Sequence, residues 1–253
     1  MTLVLLSSSG TLLAAQPEFP RYRILDIQPH NSNAFTQGLV ADGETMYESS
    51  GGHGKSFLSR YPLPGSEVNA EKNTHLNSAL PKRLFAEGLT LFKNELYLLS
   101  WKRGFAGVYD PDSLSLLRSF KYRGEGWGLT HNKQQLIMSD GSATLQFRNP
   151  ESFELERTLK VTYKGRELRY LNELEFYRGV IWANVWHQNS LVAIDPHSGK
   201  VLQTINLSAL RKSNSGRNIE NVLNGIAVDP KGRGLWITGK HWPRMYLIEI
   251  PSP

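Results

Sequence analysis

A pattern of two short apolar strands separated by turns recurs five times along the chain. The first strands of the five copies begin FTQGLV, FAEGLT, GWGLT, YLNELEF and LNGIAV. Their second strands read MYESSG, LYLLSW, LIMSDG, IWANVW and LWITGK. Successive copies begin roughly 40 to 52 residues apart, which is close to the period of a four-stranded propeller blade. The repeat therefore predicts a propeller with one blade per copy.

The register within the repeat is nearly constant. Each copy has one aligned residue in its first strand and one in its second strand. These two residues are nine positions apart in four copies and eleven apart in the last. The two additional residues fit a longer turn around DPKGRG. The aligned pairs are Gly38 with Tyr47, Gly88 with Tyr97, Gly128 with Ile137, Glu173 with Trp182, and Gly225 with Trp236.

Third and fourth strands follow in segments such as FAGVYDPDSLSLLRSF and SLVAIDPHSGKVLQTINL. Their Asp-Pro steps initiate tight turns, and their β-branched and aromatic residues favour strands. The last copy supplies only Met245–Ile250, so we expect the N-terminal segment Tyr22–Gln28 to complete its blade and close the ring. Helix is expected only as one turn at Leu207–Lys212.

We therefore predict an all-β fold, a single five-bladed β-propeller, for residues 18–253. Pro and Gly are spaced throughout the chain, so a helical fold would be broken repeatedly. Two stacked β-sandwiches, the alternative all-β fold, do not explain five copies in one register.

Equivalent positions that hold unlike, reactive residues are candidates for a functional site. One such position lies just before the repeated Gly-Leu pair, and the other lies four residues past the aligned residue of the second strand. Both lie at the same rim of a propeller, which would gather a carboxylate, a lysine, three amides and three tryptophans. That composition is typical of a small-molecule pocket, although each residue alone equally fits core packing or turn capping. The first series is Gln37, Glu87, Trp127, Asn172 and Asn224, and the second is Gly51, Trp101, Gly141, Trp186 and Lys240.

Glu87 and Lys240 carry the only formal charges in these two series. Burial beside tryptophans raises the pKa of a carboxyl group and suits it to acid–base chemistry. A nearby ammonium group lowers the same pKa. The sequence does not decide which effect is larger.

Composition excludes several classes of function. The chain of 253 residues is 40% hydrophobic and 21% charged, as in a folded globular protein. Its net charge of +6 is not gathered into a stripe or a recognisable module, so no nucleic-acid partner is expected. The absence of cysteine excludes disulfides, thiolate zinc sites and cysteine nucleophiles. The seven histidines show no zinc-site spacing, so no metal or other cofactor is expected, although an ion on the propeller axis stays open.

The N-terminal residues predict a leader over residues 1–17. Thr2–Ala15 is apolar and small, like the hydrophobic region and cleavage end of a secretory signal peptide, although no Lys or Arg precedes it. We therefore expect a periplasmic or secreted protein; a disordered extension is the alternative. The run is too short to span a bilayer, so we expect no membrane insertion of the mature domain. We also expect the protein to be a monomer.

Seven motifs occur in the order and spacing of a known family, from about Phe35 to Ile248. They are FTQGL, FAEGLT, GEGWGLT, LNELE, NVW, NVLNGIA and LWITGKHWP. Each motif alone is weak, but together they form a specific pattern, and the chain resembles the bacterial and plant type of glutaminyl-peptide cyclotransferase. The resemblance implies a five-bladed propeller and an acyltransferase. Such an enzyme converts the N-terminal glutaminyl residue of peptides or proteins to pyroglutamyl and releases ammonia.

The resemblance also implies roles for residues at matching positions. Its essential acid–base carboxylate corresponds to Glu87, with Asn172 and Lys240 as further catalytic residues. The segment Pro64–Pro81 does not align with the family motifs. The implied substrate-binding residues are Phe35, Gln37, Trp101, Trp127 and Trp186.

Two other functions remain open from the residues themselves. One is a non-catalytic propeller that binds peptides or sugars in its mouth, which would not need Glu87 and Lys240 together. The other is a metal-dependent propeller of the lactonase type, which would need several carboxylates and asparagines on the axis.

Overall fold

A computed structural model describes residues 22–63, 65, 75–214 and 218–252. Five sheets of four antiparallel strands each surround a central axis, which confirms the predicted five-bladed propeller. The predicted leader lies outside the described residues, as does most of the segment Pro64–Pro81. No helix in the described part of the chain is long and apolar enough to cross a membrane.

Strand β1 (Arg23–Pro29) does not pair with the strand that follows it in sequence. Blades 1 to 4 are each built from four consecutive strands, and a two-stranded hairpin separates blades 3 and 4. Blade 1 contains β2 (Thr36–Asp42), β3 (Thr45–Ser50), β4 (Phe57–Pro62) and β5 (Leu76–Ala79). Blade 2 contains β6 (Ala86–Phe92), β7 (Glu95–Ser100), β8 (Phe105–Tyr109) and β9 (Leu116–Lys121). Blade 3 contains β10 (Leu129–His131), β11 (Leu136–Met138), β12 (Thr144–Arg148) and β13 (Leu155–Lys160).

The second half of the chain completes the ring. The hairpin is β14 (Thr162–Tyr163) and β15 (Arg166–Glu167). Blade 4 contains β16 (Leu171–Tyr177), β17 (Val180–Val185), β18 (Ser190–Ile194) and β19 (Val201–Asn206). Helix α1 (Ser208–Asn214) precedes blade 5, which contains β20 (Leu223–Val228), β21 (Leu235–Gly239) and β22 (Arg244–Glu249).

Strand β1 closes the ring as the outer strand of blade 5. It pairs antiparallel with β22, from Arg23 opposite Glu249 to Pro29 opposite Arg244. The expected closing strand, Tyr22–Gln28, therefore lies within one residue of the observed one. Helix α1 is longer than the single turn expected at Leu207–Lys212, because buried Leu210 and Asn214 anchor its two turns.

A buried pair of side chains reinforces this closure. His30, directly after β1, has its Nε2 atom 3.1 Å from Oε1 of Glu48 in blade 1. Its Nδ1 atom lies 2.7 Å from the backbone oxygen of Trp242 in blade 5. Desolvation alone would lower the pKa of His30, but the charge and hydrogen bond of Glu48 outweigh it and raise that pKa. One imidazole thus ties the first strand of the chain to two blades.

The core consists of apolar clusters that each lie between two neighbouring blades. One cluster packs blade 4 against blade 5, with the indoles of Trp182 and Trp242 fully buried. Corresponding clusters join the other four pairs of neighbours, including blades 5 and 1. Because each blade buries both faces, its strands are held at fixed positions around the axis.

Glycines let the inner strands approach each other at the axis. A Cβ atom on Gly88 would lie 2.4 Å from the backbone nitrogen of Leu129, and one on Gly128 would lie 2.0 Å from the backbone oxygen of Asn172. No larger residue fits such contacts between backbones. The fourth copy differs, since Glu173 occupies the equivalent position and is fully buried.

Candidate active site

Bulges in the inner strands form one end of the central axis. In β2, the pairing with β3 shifts between Thr36 and Gly38, and in β6 the pairing with β7 shifts between Ala86 and Leu89. Strands β16 and β20 shift at the equivalent place. A bulge inserts one unpaired residue and redirects its side chain. These four bulges contain Gln37, Glu87, Asn172 and Asn224. They are the members of the first predicted series that lie in blades other than blade 3.

A cavity of about 240 Å³ opens at this end of the axis. It contains all eight residues predicted from the sequence as catalytic or substrate-binding, together with two that were not predicted. The lining residues are Phe35, Gln37, Phe85, Glu87, Trp101, Trp127, Asn172, Trp186, Glu220 and Lys240.

Glu87 lies at the buried side of this cavity and is only 5% exposed. Nε2 of Gln37 donates to Oε1 of Glu87 over 3.0 Å. The amide of Asn224 donates to Oε1 of Gln37 at 3.3 Å and to the backbone oxygen of Thr36 at 2.9 Å. Asn224 therefore lies behind Gln37 and orients it, instead of lining the cavity as the sequence suggested.

The charges in the cavity are strongly perturbed by burial. Desolvation raises the pKa of Glu87 well above its usual value, the charge of Lys240 lowers it, and the charge of Glu125 raises it further. Desolvation likewise lowers the pKa of Lys240, against the charges of Glu87 and Glu220. The Nζ atom of Lys240 lies 4.4 Å above the ring of Phe35. For Glu87, burial is therefore the larger of the two opposing effects that the sequence left undecided.

Three half-buried indoles form the aromatic wall. The rings of Trp127 and Trp186 meet edge to face at 5.7 Å, and the ring of Phe85 meets Trp101 at 5.5 Å. A Cβ atom on Gly141 would lie 2.7 Å from the ring of Trp127. The indole thus occupies the space that a side chain at position 141 would need, which explains the glycine in the second series.

Glu125 holds two of these indoles with one carboxylate oxygen. Its Oε2 atom accepts hydrogen bonds from Nε1 of Trp101 at 2.7 Å and from Nε1 of Trp127 at 3.0 Å. Its other oxygen lies 3.7 Å from Nζ of Lys102, whose ammonium in turn lies 4.1 Å from the ring of Trp101. Glu125 therefore sets the orientation of two walls of the cavity.

Asn172 contributes a polar group to the cavity with free hydrogen-bonding capacity. The side chain is 3% exposed, and its Oδ1 atom has no partner among the described residues. Its backbone oxygen accepts from Oγ of Ser139 at 2.7 Å, which fixes the main chain. A buried amide oxygen without a partner is suited to accept a hydrogen bond from a ligand.

Sequence reasoning missed three residues of the site. Phe85 and Glu125 lie two residues before Glu87 and Trp127, at the position that Phe35 holds in the first copy. Extending the comparison of copies by two residues would have found both. Glu220 lies in the connection between α1 and β20, outside the repeat, so no periodic signal marked it.

The described residues contain no group of three or more His, Cys, Asp or Glu side chains placed to hold a metal ion. Around the cavity, the carboxylates of Glu87 and Glu220 are accompanied by the cation of Lys240 and by the amides of Gln37 and Asn172. This donor set favours an organic ligand with polar groups over a metal ion.

Comparisons with known proteins agree on one family. The model of the glutamine cyclotransferase family matches residues 1–250. The chain is 36% identical over 247 residues to the glutaminyl-peptide cyclotransferase of Arabidopsis thaliana, covering 96% of this chain and 75% of that protein. The crystal structure of Myxococcus xanthus glutaminyl cyclase superposes with a TM-score of 0.81 at 36% identity, covering 93% of this chain and 100% of the other. The chain therefore belongs to the glutamine cyclotransferase family.

Proposed function

We propose that the protein converts N-terminal glutaminyl residues of peptides or proteins to pyroglutamyl residues and releases ammonia. The observation that carries this proposal is the single cavity in which the buried carboxylate of Glu87, the lysine Lys240 and three indoles converge. At about 240 Å³ the cavity is smaller than pockets for drug-sized ligands, roughly 300 to 1,000 Å³. It suits one amino-acid side chain folded back on its own amine.

Glu87 acts as the acid–base group in this mechanism. Desolvation raises the pKa of Glu87 well above its usual value, which makes the carboxylate a stronger base, so a proton passes more readily from the substrate ammonium to it. The neutral amine then attacks the γ-carbonyl carbon of the same residue, and the new carbon–nitrogen bond closes a five-membered ring.

The same carboxyl group completes the reaction. Protonated Glu87 delivers its proton to the leaving nitrogen, the old carbon–nitrogen bond breaks, and ammonia departs. The regenerated carboxylate removes the additional proton from the new lactam nitrogen. Protons balance, since a substrate ammonium yields a neutral lactam, ammonia and one proton.

Lys240 stabilises the charge that develops on the carbonyl oxygen, Asn172 holds the substrate amide, and Gln37 orients the carboxylate of Glu87. Lys240 forms no ion pair at contact distance with any described carboxylate, so its ammonium can donate to the developing oxyanion. The unpartnered Oδ1 of Asn172 can accept from the N–H groups of the substrate amide. Both groups are therefore free to turn toward a ligand. One donor of this kind contributes roughly 3 to 4 kcal/mol in acyl transfer.

The indoles position the substrate and limit water. Trp101, Trp127 and Trp186 enclose the aliphatic part of the glutamine side chain, and their edges are fixed by Glu125 and by each other. Holding the side chain near its own amine removes much of the entropic cost of ring closure. The mechanism uses no metal ion, so we expect chelator treatment to leave turnover unchanged.

The test is to incubate the purified protein with a short peptide that begins with glutamine and to follow its mass. The proposal expects the loss of one ammonia, and a matched peptide that begins with asparagine serves as the comparison. Binding without loss of mass would instead support a non-catalytic propeller. Turnover that chelator abolishes would support a metal-dependent enzyme.

A further inference from the structure

A second cavity of about 510 Å³ adjoins the candidate active site. It lies on the blade 1 side of the mouth, and two of its lining residues, Phe35 and Phe85, also line the first cavity. Their rings meet edge to face at 6.2 Å. These two phenyl rings therefore form part of the partition between the two cavities.

The partition has this form because blade 1 carries a glycine at the rim. Gly51 occupies the position that holds Trp101, Trp186 or Lys240 in other blades. A Cβ atom there would lie 2.4 Å from Cε1 of Phe85, so the ring of Phe85 leans into the space above Gly51. A chain leaving the first cavity over this partition meets the second cavity directly.

The second cavity combines an aromatic wall with positive charge. Phe35, Phe57 and Phe85 supply the wall, and Lys55 and His241 supply the basic groups. Lys55 is exposed, and its side chain has no carboxylate partner in the part of the chain that the structure describes. No acidic residue is among the described residues that line this cavity.

His241 is oriented to serve this cavity. Its Nδ1 atom lies 3.0 Å from the backbone oxygen of Ser32 and donates to it, and its ring packs on Phe35 with centroids 5.4 Å apart. Nδ1 is thereby occupied, and Nε2 is left as the ring nitrogen that can contact a polar group of a ligand.

We propose that the second cavity binds the side chain of the residue that follows the N-terminal glutamine, and that it prefers an acidic side chain over a basic one. This inference rests on the cyclisation of glutaminyl peptides proposed above. The first cavity accommodates one residue, so the rest of a peptide must cross the rim. The adjoining cavity with shared walls and complementary charge receives the next residue.

The test compares kcat/KM for amidated tripeptides that begin Gln-Glu, Gln-Ala and Gln-Lys. At low ionic strength we expect Gln-Glu to exceed Gln-Lys by about fivefold, the size expected of one exposed ion pair. The difference should appear mainly in KM, and it should shrink at high salt because exposed charges are screened. Lys55→Glu should reverse the order of the two charged peptides.

Lys231→Glu is the matched control, since it makes the same change of charge on an exposed residue in the turn at the opposite end of the propeller. This variant should keep the wild-type ratio of kcat/KM between the Gln-Glu and Gln-Lys peptides. An equal change in both variants would attribute the preference to overall charge and overturn the proposal. Equal rates for all three peptides with the wild-type protein would overturn this subsite alone. Failure to cyclise any of them would instead contradict the proposed function.

Discussion

At the scale of single residues, burial decides the chemistry of the site. Glu87 would be an ordinary carboxylate in water, but desolvation raises its pKa well above the usual value even though Lys240 shares the cavity. The same desolvation lowers the pKa of Lys240. Both shifts bring the two groups toward the range in which protons are exchanged near neutral pH.

Glu87→Gln removes the acid–base group and keeps its size. We expect kcat to fall by about 10² to 10⁴-fold, the usual contribution of general acid–base catalysis, while the free energy of unfolding at neutral pH does not fall. Gln37→Ala should reduce kcat much less, since Gln37 only orients the carboxylate. Steady-state kinetics and denaturant unfolding measure both. Nearly full activity of Glu87→Gln would exclude the acid–base role.

Lys240→Ala tests the stabilisation of the oxyanion. Loss of one such donor reduces kcat by about 10² to 10³-fold, and KM should change less because the charge develops only in the transition state. The comparison is made on the same glutaminyl peptide. Normal turnover in this variant would remove Lys240 from the mechanism.

Glu125→Gln separates two effects of one carboxylate. The variant retains an oxygen that can accept from Trp101 and Trp127, but it loses the charge that raises the pKa of Glu87. We expect the pH profile of kcat/KM to move to lower pH while intrinsic tryptophan fluorescence stays close to wild type. Glu125→Ala should alter both, and an unchanged pH profile in the glutamine variant would contradict the electrostatic effect.

At the scale of elements, the inner strands combine glycines with bulges. In blade 2 the bulge turns Glu87 toward the cavity, and Gly88 beside it allows the neighbouring backbone to approach. Gly128 is the tightest example, with Asn172 of the next blade in contact. The same backbone contact places the amide of Asn172 at the mouth.

Gly128→Ala should therefore destabilise the fold. The new methyl group would lie 2.0 Å from a backbone oxygen, so strands must move, and we expect a loss of about 3 kcal/mol or more, at the upper end for overpacking. Gly43→Ala is the control, since nothing lies within 4 Å of the added methyl group and only its φ of 53° costs about 1 kcal/mol. Denaturant unfolding at one pH measures both. Equal losses of stability in the two variants would show that the close contact of Gly128 with Asn172 does not limit the stability of the fold.

At the scale of the whole molecule, ring closure joins residues more than 200 positions apart. Strand β1 pairs with β22, and His30 links this junction to Glu48 in blade 1. An exposed ion pair of Arg23 with Glu249 lies in the same junction. The two pairs contrast a buried and an exposed interaction in one structural setting.

His30→Gln should lower the free energy of unfolding by about 3 kcal/mol, because a buried charge loses its partner. Arg23→Gln, which breaks the exposed pair, should cost at most about 1 kcal/mol. Equal costs would exclude the buried pair as the stronger closure.

The wild-type closure should also depend on pH. The pKa of His30 is raised above 6.5, so its stabilisation is complete below that pH and is lost as pH rises through the raised value. Desolvation raises the pKa of Glu48, but the charge of His30 and the hydrogen bonds from His30, Thr36 and Tyr61 outweigh it and lower that pKa below 4.5. The contribution of Glu48 to stability is therefore lost as pH falls through the lowered value. Urea unfolding across this range should show that the excess stability over His30→Gln is largest between these limits and smaller at alkaline pH.

The sequence by itself determined the number of blades, the register of the hairpins and the strand that closes the ring. These features are periodic, and a constant offset such as that from Gly88 to Tyr97 is readable without coordinates. It also identified eight of the ten residues that line the cavity. Seven of them hold equivalent positions of a closed ring, which must lie near one another, and the family resemblance implied Phe35.

Only the tertiary structure decided how those residues interact. Distances between blades decide which group accepts from each indole and which end of the Gln37 amide faces Glu87. They also decide whether burial or the charge of Lys240 has the larger effect on the pKa of Glu87. Glu220 enters from a connection outside the repeat, and the cavity beside Phe85 arises where Gly51 leaves room at the rim. Such properties depend on the packing of residues distant in sequence, which no local pattern encodes.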